Sequence, residues 1–160
     1  MAKQPKHSRP QMPGYGILPE TEGAGLLPWS FIEERMRASR NYWISSTRAD
    51  GRPHAAPVWG LWHNGVFYFS TGEESIKGQN LVANPEVSVH LESGEEVVIL
   101  EGEVNEVVNK DILKSLDQAY NKKYGMDMQG PGLIFSLKVG KAFAWREVDF
   151  PQSATRWIFK

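Results

Sequence analysis

Between Asp50-Gly51 and Asn64-Gly65 lies a segment with almost no polar residue on either face a strand would present: His54, Ala56, Val58, Gly60 and Trp62 alternate with Ala55, Pro57, Trp59 and Leu61. Asp-Gly and Asn-Gly dipeptides readily take positive φ, so each reads as a tight hairpin turn between aromatic and β-branched runs. Residues 42–48, 54–62 and 66–71 are therefore predicted to form an antiparallel meander. Its middle strand has to be covered on both faces, as an interior barrel wall, a subunit interface or a wall against a flat ligand. Pro57 has no N–H to give to a ladder, which favours an edge, bulge or open seam at that point.

The chain has 160 residues, the size of one domain. Its 41% hydrophobic and 11% aromatic content is enough for a packed core and excludes global disorder. The absence of cysteine removes disulfides, thiolate metal sites and a cysteine nucleophile together, and no Asn-x-Ser/Thr sequon occurs. The longest nearly apolar run, residues 55–62, is far short of the roughly 18 residues that span a bilayer. Together with a polar N-terminus, this leads to the expectation of a cytoplasmic protein with no membrane partner. A net charge of -1 argues against broad nucleic-acid binding, which draws its affinity from excess Lys and Arg.

Residues 1–28 are dense in proline and glycine, have no hydrophobic period and begin with the basic cluster Lys3, Lys6, His7 and Arg9. They read as an irregular arm, partly docked through Tyr15, Ile17 and Leu18, ahead of a domain at 29–160. Ser30 and Glu33 read as a capping box opening a helix to about Ser39. A second helix is predicted from Ser75 to Ala83, stopped by Asn84-Pro85. A third is capped by Asn109, carries Ile112, Leu113, Leu116, Ala119, Tyr120 and Tyr124 at helical spacing, and ends at Gly125. Further strands are predicted at 87–91, 97–107, 133–145 and 156–159. The sum is a mainly β (α+β) chain, an antiparallel barrel with two or three short helices; strands and crossover helices do not alternate as a parallel sheet requires.

The stretch from Phe69 to Leu81 is the most informative chemically. Ser70 and Thr71 end a strand, Gly72 turns the chain, and a helix opens with Ser75 and Lys77. Unpaired N–H groups and the positive end of a helix dipole favour an anion, to which hydroxyls and a Lys would add donors and charge. The alternative is that Ser75 only caps the helix, Lys77 is solvated, and Glu73-Glu74 satisfies the dipole. No phosphate-binding loop, dinucleotide fingerprint or nucleophile elbow occurs. His7, His54, His63 and His90 form no ligand spacing, so no metal site is expected. Glu92, Glu95, Glu96, Glu101, Glu103 and Glu106 read as a solvated strand face rather than a catalytic carboxylate pair. Trp145 and Thr155-Arg156-Trp157 suit barrel core, or stacking over a planar ligand.

The ordered set 43-WISSTRADGRPHAAPVW-59, 68-YFST-71, 77-KGQNL-81 and 84-NPEVS-88 resembles the pyridoxamine 5′-phosphate oxidase-like superfamily over roughly residues 30–160. The endings Phe143-Ala144-Trp145 and Ala154-Thr155-Arg156-Trp157 resemble its flavin/deazaflavin oxidoreductase branch. The resemblance implies an FMN-binding split barrel and a homodimer with two interface sites. It also implies oxidoreductase chemistry with FMN, or with the deazaflavin F420, on a small-molecule substrate, with NAD(P)H as a possible reductant. Pro57, Val58 and Trp59 would run along the isoalloxazine. Ser70, Thr71, Ser75 and Lys77 would hold the phosphate, with Asn80 supporting the loop and Thr47 and Arg48 assisting. Trp145, Arg156 and Trp157 would close the site from either subunit. Arg48, Arg52, Lys122 and Lys123 would meet an acidic cofactor tail if they converge. The Arg-x-His pair of pyridoxamine phosphate oxidases is replaced by Arg156-Trp157-Ile158, which points away from that substrate. A non-enzymatic flavin or haem carrier is the alternative from another class.

Overall fold

The computed structural model describes residues 5–19, 25–128, 130 and 132–160; the expected contributions of Lys3 and of residues 20–24 fall outside them. Strands β1 (Lys6–Ser8), β2 (Asn41–Thr47), β3 (Pro53–His63), β4 (Val66–Gly72), β5 (Glu86–His90), β6 (Glu96–Glu106), β7 (Gly132–Arg146) and β8 (Thr155–Ile158) form one antiparallel sheet. Their order is β1-β8-β7-β4-β3-β2-β5-β6, and a further β6–β7 pairing closes six of them into a barrel. Helices α1 (Trp29–Ala38), α2 (Ile76–Ala83), α3 (Lys110–Tyr124) and α4 (Phe150–Ser153) pack around it.

The meander forms for the reasons the sequence suggests. Asn64 and Gly65 both take positive φ (50° and 78°), the geometry of a two-residue turn whose twist matches its strands. Alternation then sends Tyr42, Ile44, Phe67 and Phe69 into the barrel, where they join Val89, Leu100, Leu137 and Trp157 in the main core. The opposite face of β3, β4 and β7 meets α3 in a second cluster of Leu61, Tyr68, Leu116, Tyr120 and Ile134.

The pairing of β3 is incomplete. It matches β2 along Asn41↔Trp59 to Thr47↔Pro53, but meets β4 only from Gly60↔Phe69 to His63↔Val66. Residues 53–59 are therefore open on the β4 side, where Ser70, Thr71 and Gly72 pair with β7 alone, whereas Phe67, Tyr68 and Phe69 pair with both β3 and β7. This opening is the split in the barrel, and Pro57 lies in it.

Two expectations change. The helix expected from the Ser30–Glu33 capping box begins at Trp29 behind Pro28, with no side-chain cap, so Ser30 is already inside the first turn. Tertiary packing sets that start: Trp29 meets Trp157 at 5.6 Å, Phe159 at 5.1 Å and Trp62 at 6.3 Å. The arm expected to be irregular contributes β1, which extends the sheet beyond β8. Arg9, 8% exposed, donates to the carbonyls of Gln152 and Ala154. The four-residue α4, with Pro151 in its first turn, is too short to carry a periodic signal.

Helix α2 lies tight against the end of β4. A Cβ on Gly78 would sit 2.2 Å from the carbonyl oxygen of Gly72. Gly78→Ala is therefore expected to lose about 1–3 kcal/mol, as overpacked sites do, read as a lower urea midpoint at unchanged m-value.

Candidate functional site

At the split, α2 begins where β4 ends. Ser75 caps the helix by accepting from the Gly78 N–H (3.0 Å), its hydroxyl lies 2.7 Å from the Gly72 carbonyl, and Thr71 Oγ1 is 3.0 Å away. Ser75 and Thr71 are thus joined in the cap, as the structural alternative for this stretch expects, and the same bonds hold the helix start beside the open edge of β3. Asn80, 7% exposed, donates to Ser46 Oγ at 3.1 Å and so ties α2 to β2. Thr47 is exposed opposite Pro53, and Arg48 is half-buried in the following turn.

The charge here is one-sided. Lys77 is half-buried, makes no ion pair among the described residues, and burial pushes its amine below the usual lysine range. His54, opposite Ser46 in the β2–β3 ladder, has an enclosed Nδ1 without a partner. Burial, then the charges of Arg48 and Lys77, push its pKa down. Lys77 and the imidazole thus converge with Arg48, whose carboxylate neighbour is Asp50 of the same turn, itself paired with Arg52. His54 was not among the sequence candidates, because histidines were weighed only as metal ligands; its signal was a titratable residue on an otherwise apolar strand.

The expected ring wall divides between two faces. Val58 packs on the barrel core, whereas Pro57 is exposed on the outside, opposite Trp43. Trp59 stacks on Tyr124 of α3 (4.7 Å, 5° between planes), with the Arg40 guanidinium 4.7 Å from its ring centre. Side chains of all three cannot meet one ligand face, but the open backbone of residues 53–59 is common to them. Behind Trp59, Lys123 donates to Tyr42 Oη (2.7 Å) and the Gly60 carbonyl (3.1 Å). Lys123 is therefore committed next to Gly60, about 23 Å along β3 from the Arg48–Arg52 turn at ~3.3 Å per residue. Arg52 is itself paired with Asp50 at 2.8 Å. The four basic residues expected to serve an acidic tail do not converge.

The C-terminal candidates lie elsewhere. Ser70 and Thr71 face Ile134 and Leu133 near the start of β7, whereas Arg156 faces Phe143 near its end, roughly 30 Å away at ~3.3 Å per residue. Arg156 donates to Ser8 Oγ at 3.0 and 3.2 Å, which ties down the arm. Trp157 is fully enclosed in the core and offers no surface to a ligand. Trp145 meets Phe150 edge-on at 5.6 Å beside Met12 and Tyr15. One chain alone does not bring these residues to Lys77.

Carboxylates along β6 are met from β7 and α1: Glu96, Glu101 and Glu103 stand opposite Arg146, Lys141 and Lys138, and Glu96 also bonds Arg35 at 2.6 Å. Among the described residues no group of three His, Asp or Glu could hold a metal, and no helix is long and apolar enough to cross a membrane.

The family model of pyridoxamine 5′-phosphate oxidase matches residues 30–150. The chain belongs to this family. No curated protein matches it. Among solved structures it is similar to a conserved hypothetical protein from Mycobacterium tuberculosis, at 20% identity and TM-score 0.67, covering 76% of this chain and 86% of that one. It is also similar to a heme binding protein from Mycobacterium smegmatis, at 19% identity and TM-score 0.57, covering 74% and 55%. An F420 reductase matches at 19% identity and TM-score 0.55, covering 69% and 94%. At these identities the structures share the fold. The matched segment includes β3, β4 and α2 and leaves out the arm and β8.

Burial, with the charge of Arg40, pushes the Lys123 amine down to about 8. The unfolded chain keeps this proton until about pH 10.4. Between those values the folded chain binds fewer protons than the unfolded one, so the Lys123 contribution makes stability rise with pH. Lys123→Met is expected to remove that rise, giving a flatter urea midpoint from pH 8 to 10 than the parent shows.

Proposed function

We propose that this chain is a flavin-dependent oxidoreductase that binds FMN at the split, with the deazaflavin F420 as the alternative cofactor and a small organic molecule as substrate. The observation that carries this reading is the open backbone edge of residues 53–59 beside a cluster of Lys77, which has no ion-pair partner among the described residues, His54 and Arg48. The residues fit the group. A phosphate suits Lys77, which has no ion pair among the described residues, at a helix start, and the polar rim of a flavin ring suits an unpaired strand edge.

When bound, the flavin supplies hydride or electron transfer. In this reading Lys77, Arg48 and His54 hold the phosphate, and Ser75 and Thr71 fix the helix start that presents it. Asn80 and Ser46 fix the spacing between α2 and β2. Trp59, held by Tyr124 and Arg40, shields one side of the ring from water. No side-chain nucleophile is required, in keeping with the absence of cysteine.

The site is read as a two-chain site in a homodimer. Pro57, Trp43, His90, Ile99, Phe143 and Arg156 face one another in sequence across the ladders of β3, β2, β5, β6, β7 and β8. Their outward row is exposed at Pro57 and half-buried from Trp43 onward. A two-fold contact over this row would cover its apolar surface and bring one chain's Arg156 and Trp145 toward the partner's split.

Titration of cofactor-free protein with FMN and with F420, followed by fluorescence, tests the reading. Saturable binding of either is expected, with Lys77→Ala weakening it tenfold or more while the dimer persists in sedimentation. Binding of neither, or equal affinity for parent and variant, would count against it. One observation favours a haem-carrier reading as second. His90, stacked on Trp43 at 6.2 Å, donates from Nδ1 to the Leu91 carbonyl (2.8 Å), which leaves Nε2 as the lone-pair nitrogen. Under that reading hemin gives a Soret band that His90→Ala abolishes; under the flavin reading the substitution leaves FMN affinity within twofold.

A further inference from the structure

His54 is the one member of the cradle whose enclosed donor or acceptor atom is left unmatched. It stands at the start of β3, opposite Ser46, and Ser46 is held in turn by Asn80 of α2. Its Nδ1 is buried without a partner, an arrangement that is unfavourable until a ligand or water meets it. The charged groups that bear on the ring are Arg48, from the turn after β2, and Lys77, from α2; both are cations, and no carboxylate is among them. On the β4 side the ladder is open, so no strand closes over the ring's neighbourhood there.

Lys77 without an ion pair, an imidazole with an unmatched nitrogen, Arg48 and a capped helix start together suit an anion that carries more than one charge, with the exposed Glu73 and Glu74 lying just before the cap. We propose that His54 is a direct ligand of the cofactor's phosphate monoester and takes up a proton as the dianion enters, so that the filled cradle presents three positive groups and the empty one only two. This inference rests on the flavin reading above. The proton comes from solvent and goes to the imidazole, which then has two N–H donors; no bond in the cofactor is made or broken.

The sign follows from the charges. Without the anion, burial first and then Arg48 and Lys77 disfavour the imidazolium and hold the ring's pKa below the usual histidine range. A bound dianion reverses the local field and raises the pKa of the ring. Between the empty and filled values, binding takes up a proton and affinity falls as pH rises. A phosphate monoester has its second pKa near about 6, so at pH 7.5 FMN enters already as the dianion and the proton taken up is the protein's.

Calorimetric titration of FMN at pH 7.5 in two buffers of different ionisation enthalpy measures the uptake directly. Riboflavin, which lacks the phosphate, serves as the control. The expected result is proton uptake with FMN, none with riboflavin, and none with His54→Gln, whose FMN affinity falls more at pH 6.5 than at pH 8.5. FMN binding without uptake, or uptake that survives His54→Gln, overturns the inference and leaves the flavin reading standing. Failure of the parent protein to bind FMN overturns the inference together with its FMN premise. The His54 ring resonance, titrated in the parent protein with and without FMN, decides the point independently of how the variant folds. An upward displacement of its midpoint supports the proposal and an unchanged midpoint overturns it.

Discussion

Strand β3 bonds to β2 over seven matched pairs from Pro53 to Trp59, and to β4 over four from Gly60 to His63, so the two neighbours serve different halves of the same strand. The rest of the molecule is arranged around that division. Had β4 stayed paired with β3 along its whole length, residues 53–59 would have no open backbone edge. Instead β4 keeps its β7 partner but leaves β3 beyond Phe69, α2 begins beside the open edge, and Gly78 allows the helix backbone to approach Gly72 where any side chain would collide. Pro57, unable to donate, lies in the stretch where no ladder on the β4 side asks it to.

Electrostatics mark the same place by contrast. Elsewhere Arg35 pairs with Glu96 and Arg146 with Asp149. The carboxylates of β6 likewise stand opposite basic residues of β7. A chain with 18 basic and 19 acidic side chains has enough acid to neutralise Lys77 as well, yet burial alone sets its environment. Keeping a desolvated amine and an enclosed imidazole without counter-charge costs stability. Such a cost at a helix start beside an open strand edge is the physical reason to read the cluster as an anion site rather than as packing.

Local signals in the sequence were reliable wherever turn chemistry or capping decided the outcome. Asp50-Gly51, Asn64-Gly65, Ser75 and Asn109 each do what their side chains or positive φ dictate. The two-sided apolar pattern of residues 54–62 called for cover on both faces, and Pro57, read as an edge, bulge or open seam, lies in the stretch that β4 leaves unpaired. What failed locally was overridden by contacts distant in sequence. Trp29 starts α1 because it packs on residues more than thirty and more than a hundred positions later, and β1 exists because β8 offers an edge. The site was legible as a list of residue types but not as a geometry. Spacing could not show that Lys123 turns onto Tyr42, that Trp157 faces the core, or that His54 stands beside Lys77, because each depends on how β2, β3, α2, α3 and β8 meet in space.

The far separation of Trp145 and Arg156 from Ser70 along β7 gives the quaternary reading its physical basis. Strands hold their ends apart by a fixed rise per residue, so no side-chain rearrangement within one chain can bring these groups together. The outward row from Pro57 to Arg156 nevertheless runs continuously across six strands, with the split at one end and the arm-tethering arginine at the other. A self-complementary contact whose two-fold axis crosses such a row would bring each chain's distal end to the other's proximal end, and twice. The backbone edge left open by β3 would then be covered by residues of the second chain, which is why the proposed site is read as one that two chains complete.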